Sequence, residues 1–296
     1  AVQTALEEQR ILRAASEKKS AAQPTIRVHS QKLDELVDLV GEMVTIQARF
    51  MRTASLQGDS ELTGLAEQME RLVANLRDNT LSLRMLPIAT TFQRFERLVR
   101  DLGRDLFKEV RLVTEGGETE LDKTVLERLT DPLVHLLRNA LDHGIESPED
   151  RQAAGKPAYG TIRLTASQTG DSVLISIADD GKGLDRERIK AKALEKGLMN
   201  EDAVPSEAEM LNLIFQPGFS NSANVTSVSG RGVGMDVVKK EIEALGGSIA
   251  VSTHSGQGSA FQLKVPLTLA IIVGMMVKVG ATTYVVPHAA IDSCLE

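Results

Sequence analysis

The period of the apolar residues changes once along this chain of 296 residues, and that change limits the fold more than any single motif. Up to about Pro87 the period is helical. Leu33, Leu36, Val37, Val40 and Val44 recur at helix spacing, as do Leu62, Leu65, Met69, Leu72, Val73, Leu76 and Leu83. Between the two sets, Thr53 to Ser60 carries Ser, Gly and Asp and reads as a turn, so 26–87 is expected to form two long helices joined as a hairpin. Two helices cannot cover both of their own apolar stripes, and each buried Leu or Val is worth roughly 1.5–3 kcal/mol. Two coverings stand open: a second hairpin completing a symmetric four-helix bundle, or one more helical layer of the same chain. A homodimer through 26–87 is the expectation adopted here.

From about Ile88 to Pro266 the pattern is mixed. Alternation at 161–166, 172–178 (Val173, Ile175, Ile177), 248–253 and 259–265 (Phe261, Leu263, Val265) predicts strands. Ser255-Gly256-Gln257-Gly258 joins the last two as a hairpin signal. Helical stretches between the earlier strands imply an α/β sandwich with helices on one face of the sheet, and an α+β chain as a whole. Residues 1–25 start with a short helical pattern (Leu6, Ile11, Leu12) and become too polar to order themselves, which predicts a linker. The start at Ala1 is taken to mean that another segment precedes it. Residues 267–296 begin a β-rich stretch (277–279, 283–286), too short for a domain of its own and expected to open one.

Composition removes several classes of function. Forty-one acids against 34 bases leave a net charge of -7, which disfavours non-specific nucleic-acid binding. The single cysteine, Cys294, excludes an internal disulfide framework and a cysteine zinc site, and fits a reducing compartment. The longest nearly apolar run, Leu267 to Val277, is too short to span a bilayer, so a cytoplasmic protein with no membrane insertion is expected.

Residues able to do chemistry fall in three places. One is a helix expected over 131–143, with Asp131 as its N-cap and Pro132 in its first turn. Leu133, Leu136, Leu137, Ala140 and Leu141 form its apolar stripe, and His135, Asn139, Asp142 and His143 lie on the other side. Short polar groups with convergent donors and acceptors suit a ligand; an ordinary solvated face has the same spacing. The second is Asp179-Asp180-Gly181-Lys182-Gly183, directly after an apolar strand. Its glycines permit close backbone approach and its carboxylate can accept from an exocyclic amine, although plain turns share the pattern. The third is Ser229-Gly230-Arg231-Gly232-Val233-Gly234-Met235, leading into a helix marked by Val238, Ile242 and Leu245. Free amides and the helix dipole there favour an anion such as phosphate. No strand precedes it and no Gly-Lys-Ser/Thr follows, so it is neither a dinucleotide fingerprint nor a Walker A loop. Phe215 and Phe219 stand before a polar run read as a lid anchored by both rings; core and loop-packing roles also fit these residues.

Taken in chain order, these elements with Gly258-Ser259 resemble the N, G1, F, G2 and G3 boxes of histidine-kinase ATP-binding domains, the type shared with gyrase and Hsp90. More closely, His-Leu-Leu-Arg-Asn-Ala-Leu-Asp-His-Gly-Ile-Glu (135–146), Ile-Phe-Gln-Pro-Gly-Phe-Ser (214–220), Ser-Gly-Arg-Gly-Val-Gly-Met-Asp-Val-Val (229–238) and Pro-Leu-Thr-Leu-Ala-Ile (266–271) look like the CheA family of chemotaxis histidine kinases. Lys32-Leu33-Asp34-x-Leu36, Val40-Gly41-Glu42 and Arg84-Met85-Leu86-Pro87 resemble that family's dimerisation hairpin. The likeness runs from about Ile26 to the end.

The resemblance implies a linker (1–25), a helical-hairpin dimerisation domain (26–87), an ATP-binding kinase domain (88–266) and the start of a CheW-like regulatory domain (267–296). It implies transfer of the ATP γ-phosphoryl group to a histidine on a separate phosphotransfer domain, across the dimer, with ATP and Mg²⁺ as cofactors. Asn139 would hold Mg²⁺ and Asp179 would accept from the adenine amino group. Guanine would offer that carboxylate a second acceptor, so ATP should be preferred over GTP. Gly230, Gly232 and Gly234 would let lid and helix reach the phosphates. Asp142, His143, Gly181, Gly183, Phe215, Phe219, Ser220, Arg231, Val233, Met235 and Ser259 would complete the nucleotide site. His135 stands where related ATPases carry a glutamate base; it would orient the γ-phosphate, act as a mild acid/base, or serve as a supporting hydrogen-bond partner. Ser259 stands where the family usually has Thr, and Asn221 where it often has Thr. Implied partners are a CheW-like adaptor, chemoreceptors and response regulators. Against these stand a water-directed ATPase of the same superfamily and a nucleotide-binding assembly module. His29 is read as a helix-start residue, not as a phosphoacceptor.

Overall fold

The structure, a computed structural model, describes residues 28–200, 205–219, 234–267, 274–280 and 282–287. The expected linker, the expected lid from Ser220 and Asn221 onward, and the phosphate-loop residues Gly230, Arg231, Gly232 and Val233 lie outside them. The chain divides into two compact units, Ala1–Thr80 and Leu81–Glu296.

In the first unit, α1 (Ser30–Gln57) and α2 (Ser60–Ser82) form the expected pair of helices. The connection is only Gly58-Asp59, shorter than the stretch 53–60 that composition suggested. Thr53 and Ser55 instead donate their hydroxyls to the carbonyls of Arg49 and Met51, so the helix absorbs the polar groups that looked like a turn. Gly58 adopts the left-handed conformation that ends helices (φ 65), and Asp59 Oδ1 accepts from the Glu61 amide at 2.8 Å to start the next one. The residues buried on α1 are Val40, Gln47 and Ala54; those on α2 are Ala66, Val73 and Thr80. A seven-residue period of burial is the signature of helices wound as a coiled coil. A second row on α1 (Leu36, Leu39, Met43, Ile46, Phe50) steps three and four residues at a time, yet is exposed, as are Leu65, Leu72 and Leu76 on α2. A second apolar seam therefore remains in water within one chain.

In the second unit the elements are β1 (Met85–Pro87), α3 (Ala89–Asp105), β2 (Val110–Glu115), β3 (Glu120–Asp122), α4 (Lys123–Asn139), a π-helical turn (Ala140–Gly144), α5 (Pro148–Ala153), β4 (Gly160–Thr169) and β5 (Ser172–Asp179). There follow α6 (Arg186–Glu195), α7 (Glu207–Asn212), a 3-10 turn (Leu213–Phe215), α8 (Met235–Ala244), β6 (Ser248–His254) and β7 (Gly258–Pro266). A separate hairpin, β8 (Gly274–Val279) with β9 (Thr282–Pro287), agrees with the β-rich character expected there. The main sheet has the order β2-β4-β5-β7-β6, parallel only between β2 and β4. All four strands read from alternation are present; β2 was not read. β4 and β5 pair directly as an antiparallel hairpin, Thr169 opposite Ser172, so no helix separates them.

Period-two burial sets one face of the sheet against the helices. Ile162, Leu164 and Ala166 of β4, Val173, Ile175 and Ile177 of β5, and Phe261, Leu263 and Val265 of β7 are all buried. Register aligns them: Leu164 faces Ile177, which faces Phe261. Phe92, Phe95 and Val99 of α3, Leu129, Leu133, Leu136 and Leu137 of α4, and Val238 and Ile242 of α8 close the core from above. This is the sandwich that alternation predicted, built almost wholly from aliphatic side chains.

The start of α4 corrects the sequence reading. The N-cap is Asp122, whose Oδ1 accepts from the Thr124 and Val125 amides at 2.7 and 3.4 Å, and Pro132 lies inside the helix rather than in its first turn. Asp131 looked like a cap because a proline followed it, but the apolar faces of Val125, Leu126 and Leu129 extend the helix upstream. Asp122 also lies 3.5 Å from Arg84 Nε, and Arg84 Nη2 donates to Thr124 Oγ1. β1 pairs with β3 in the same place, Met85 opposite Asp122. Asp122→Ala is expected to cost roughly 2–4 kcal/mol, from a lost cap and an arginine left beside no acid. Asp122→Asn, which keeps the cap, should cost less than half of that; urea unfolding midpoints check both.

Candidate nucleotide site

The end of α4 is where the chemistry collects. After Asn139 the helix widens into the π-helical turn, closed by the Ile145 amide on the Ala140 carbonyl at 2.8 Å. Such single wide turns recur at functional sites because they shift side chains out of regular register. Lys108 holds this turn from beneath: its Nζ donates to the carbonyls of Leu141, Asp142 and Ile145 at 2.7, 3.0 and 2.8 Å. Burial lowers the Lys108 pKa while the Asp142 carboxylate opposes that shift. Leu133, Leu136, Leu137, Ala140 and Leu141 are buried as the expected apolar stripe. On the other side His135, Asn139 and Asp142 are half-buried and His143 is exposed.

Asn139 reaches across to α8. Its Nδ2 lies 3.2 Å from the Sδ of Met235, the first residue of that helix. Among the described residues the Asn139 side-chain oxygen has no hydrogen-bond partner. The N-cap of α8 is Gly234, which offers no side-chain cap, and among the described residues no side chain takes the first amides of the helix. His135 is pushed below its ordinary pKa, first by burial and then by the Arg138 charge, so it is neutral at pH 7.

From the opposite side comes the end of β5. Asp179 is buried on the core face of the sheet, where its Oδ1 accepts from the Gly181 amide at 3.0 Å. Burial lifts its pKa from 3.8 to about 6, against hydrogen bonds from the Gly181 and Ser259 amides that pull it down. The π-helical turn and this strand end touch through backbone: a Cβ on Gly181 would lie 2.1 Å from the Gly144 oxygen, and one on Gly144 would lie 3.1 Å from Asp179 Oδ1. The Lys182 amide donates to that Gly144 carbonyl at 3.0 Å. Gly258, at φ 103, presses on the Asp179 carbonyl so closely that no side chain fits. Thr253 Oγ1 accepts from the Leu184 amide at 2.8 Å and lies 3.1 Å from Ser259 Oγ, tying the Gly183 loop to the β6–β7 hairpin.

Asn139, Met235, Asp179, Gly181, Gly183 and Ser259 are thus linked through one contiguous set of contacts around residues 139–146. Phe215 and Phe219 belong to the core cluster, and the Phe219 ring also lies 5.2 Å from Lys192 Nζ. Sequence reasoning passed over a cluster of charge beside the Asp179 turn. Arg151 is almost fully buried and bonds Glu146 Oε2 and Asp180 Oδ2, each at 3.0 Å, while Lys156 bonds Glu146 Oε1 at 2.7 Å. Burial acts against ionised Glu146, but the Lys156 hydrogen bond and charge, with the Arg151 hydrogen bond, hold it below the usual carboxylate range. The only sequence signal for this cluster was the density of charge between Glu146 and Lys156.

Residues 128–269 match the family described as histidine kinase-, DNA gyrase B-, and HSP90-like ATPase, and residues 23–83 match the homodimeric domain of signal transducing histidine kinases. Fold and matches together define the class: a histidine-kinase ATPase fold preceded by a helical dimerisation domain. The chain is 46% identical over 279 residues to the Chemotaxis protein CheA of Rhizobium meliloti, covering 93% of this chain and 37% of that protein. It is 44% identical over 269 residues to that of Bacillus subtilis, covering 90% and 40%, and 49% identical over 235 residues to that of Treponema pallidum, covering 79% and 29%. The chain belongs to the CheA family of chemotaxis histidine kinases, and it spans less than half the length of these relatives.

The raised pKa of Asp179 gives a pH test. Folding favours its neutral form, so the stability that Asp179 contributes to the nucleotide-free protein is fully present below pH 4 and is lost as pH rises to about 6. The gap of roughly two pH units corresponds to about 3 kcal/mol. Asp179→Asn should abolish that loss, so the difference in urea stability between variant and parent grows from pH 4 to pH 8.

Proposed function

We propose that this chain is the core of an ATP-dependent protein-histidine kinase in a chemotaxis two-component system. It passes the γ-phosphoryl group of ATP to an imidazole nitrogen of a histidine on a separate phosphotransfer domain, across a homodimer, and releases ADP. The observation that carries this reading is the junction at 139–146, which touches the first residue of α8 on one side and the Asp179 turn on the other. A nucleotide laid along it has its adenine amino group at the Asp179 carboxylate and its phosphates at the uncapped α8 N-terminus. With a pKa of about 6, Asp179 is mostly ionised at neutral pH and accepts from adenine, whereas the guanine carbonyl would leave two acceptors facing each other.

The Asn139 oxygen suits Mg²⁺, a hard cation held by one or two protein oxygens and substrate phosphates. Bound there, the cation supplies neutralisation of the charge on the transferring group. Among the described residues no cluster of three His, Cys, Asp or Glu competes for it. His135 stands where related ATPases carry a glutamate base, which suits transfer to an imidazole, a step that needs positioning and charge neutralisation more than deprotonation. In this reading Asp142 and His143 line the wall, and Gly183, Ser259, Phe215 and Phe219 brace the base of the lid. Ser220 and the run after it are read as that lid, and Gly230, Arg231, Gly232, Val233 and Gly234 as the loop that would let lid and helix reach the phosphates.

The exposed seam of α1 and α2, with the match to a homodimeric domain, supports pairing through 26–87 as a four-helix bundle. The β8–β9 hairpin is taken as the opening of a CheW-like regulatory domain, which would dock adaptor and chemoreceptors, while phosphate would move on from the phosphotransfer domain to response regulators. Such partners place the protein in the cytoplasm. Among the described residues no helix is long and apolar enough to cross a membrane.

With γ-labelled ATP, label should accumulate on an added phosphotransfer domain and not on this chain. Asp179→Asn should slow transfer at least about tenfold, the worth of one hydrogen bond to a charged group. Label retained here and lost in His29→Gln would overturn the proposal, as would vigorous hydrolysis without an acceptor. Independently, Ile46→Asp with Leu72→Asp should halve the mass in sedimentation equilibrium while ATP binding persists.

A further inference from the structure

We infer that Arg151, assisted by Lys156, is a positioning residue that fixes the Asp179 turn and so sets the preference for adenine over guanine. The inference rests on the nucleotide reading above. Arg151 has 1% of its surface exposed, and each of its three guanidinium nitrogens donates locally. Nε goes to the Pro157 carbonyl at 2.9 Å, Nη1 to Glu146 Oε2 at 3.0 Å and the Asp180 carbonyl at 3.2 Å, and Nη2 to Asp180 Oδ2 at 3.0 Å. Lys156 Nζ reaches the Asp180 and Gly181 carbonyls at 3.0 and 2.7 Å as well as Glu146. Asp180 Oδ1 takes the Thr161 amide at 2.9 Å.

The two cations thus grip the backbone of both residues that follow Asp179. Through Glu146 they also grip the segment leaving the π-helical turn. Those are the two walls that meet at Gly144 and Gly181. A buried ion cluster is a poor source of stability, since apolar side chains of similar volume do as well. What it supplies is a fixed geometry, and a recognition group must be held within about 0.5 Å to be selective. Neither cation bonds Asp179 itself, so its carboxylate is held in place without being used up.

The test uses the whole chain, with Arg151→Lys and the gentler Lys156→Met, which keeps the apolar stem. Without nucleotide, amide hydrogen exchange should rise at 140–146 and 180–183 while thermal unfolding stays cooperative. In calorimetric titration, Mg-ATP should bind roughly tenfold more weakly and Mg-GTP unchanged, narrowing the ratio between them. A folded variant with unchanged exchange at the turn, or one that loses both nucleotides equally, overturns the inference. If Arg151→Lys fails to fold, Lys156→Met decides. If the parent chain binds neither nucleotide, the functional reading fails, and exchange still settles whether the cluster positions the turn.

Discussion

Gly181 comes so near to the Gly144 carbonyl that position 181 has no room for a side chain, and the candidate site exists because of that approach. It sets the widened end of α4 against the end of β5, two segments about forty residues apart in sequence. One brings Asn139 and the other Asp179, and neither is useful without the other. The approach leaves the Gly144 oxygen to be satisfied by the Lys182 amide, and the carbonyls of the widened turn by Lys108. Polar backbone brought this close must be paired, and here every partner is a residue fixed elsewhere in the fold.

Electrostatics divides two adjacent carboxylates. Asp180 takes the guanidinium of Arg151 and stays half-exposed, whereas Asp179 turns to the buried face and meets only backbone amides. The first is spent on structure. The second remains an acceptor in a poorly solvated place, raised in pKa by burial, and so is able to reward a ligand donor more than water can. A matching division separates Arg151, bonded through all three of its guanidinium nitrogens, from Asn139, whose oxygen has no partner among the described residues.

Where the sequence was legible, it was so through periodicity and order. Apolar alternation located β5, β6 and β7 to within a residue at each end and β4 three residues short of its end, and helix spacing found α1 and α2. The succession of motifs, more than any one of them, pointed to Asn139 and Asp179. Short edge elements were illegible, because β2 has only one flanking strand and β3 has three residues, too few for alternation to stand out. The α4 cap was misplaced because Pro132 imitated a helix start, while the true cap, Asp122, lies ten residues earlier and accepts from the Thr124 and Val125 amides. The charged cluster around Arg151 was hidden for a deeper reason: a buried ion pair looks in sequence like any solvated surface, and only three-dimensional closure removes its water.

The parallel edge strand has a kinetic consequence. Val110 lies fifty residues before its partner Gly160, so β2 cannot join until a long loop has closed, while β4 and β5 zip across a two-residue bend. Distant pairings of this kind form slowly. The central hairpin therefore gathers first, and β2, together with Lys108 just before it, docks late. Since Lys108 holds the widened turn, this wall of the candidate site waits on the closure of that loop.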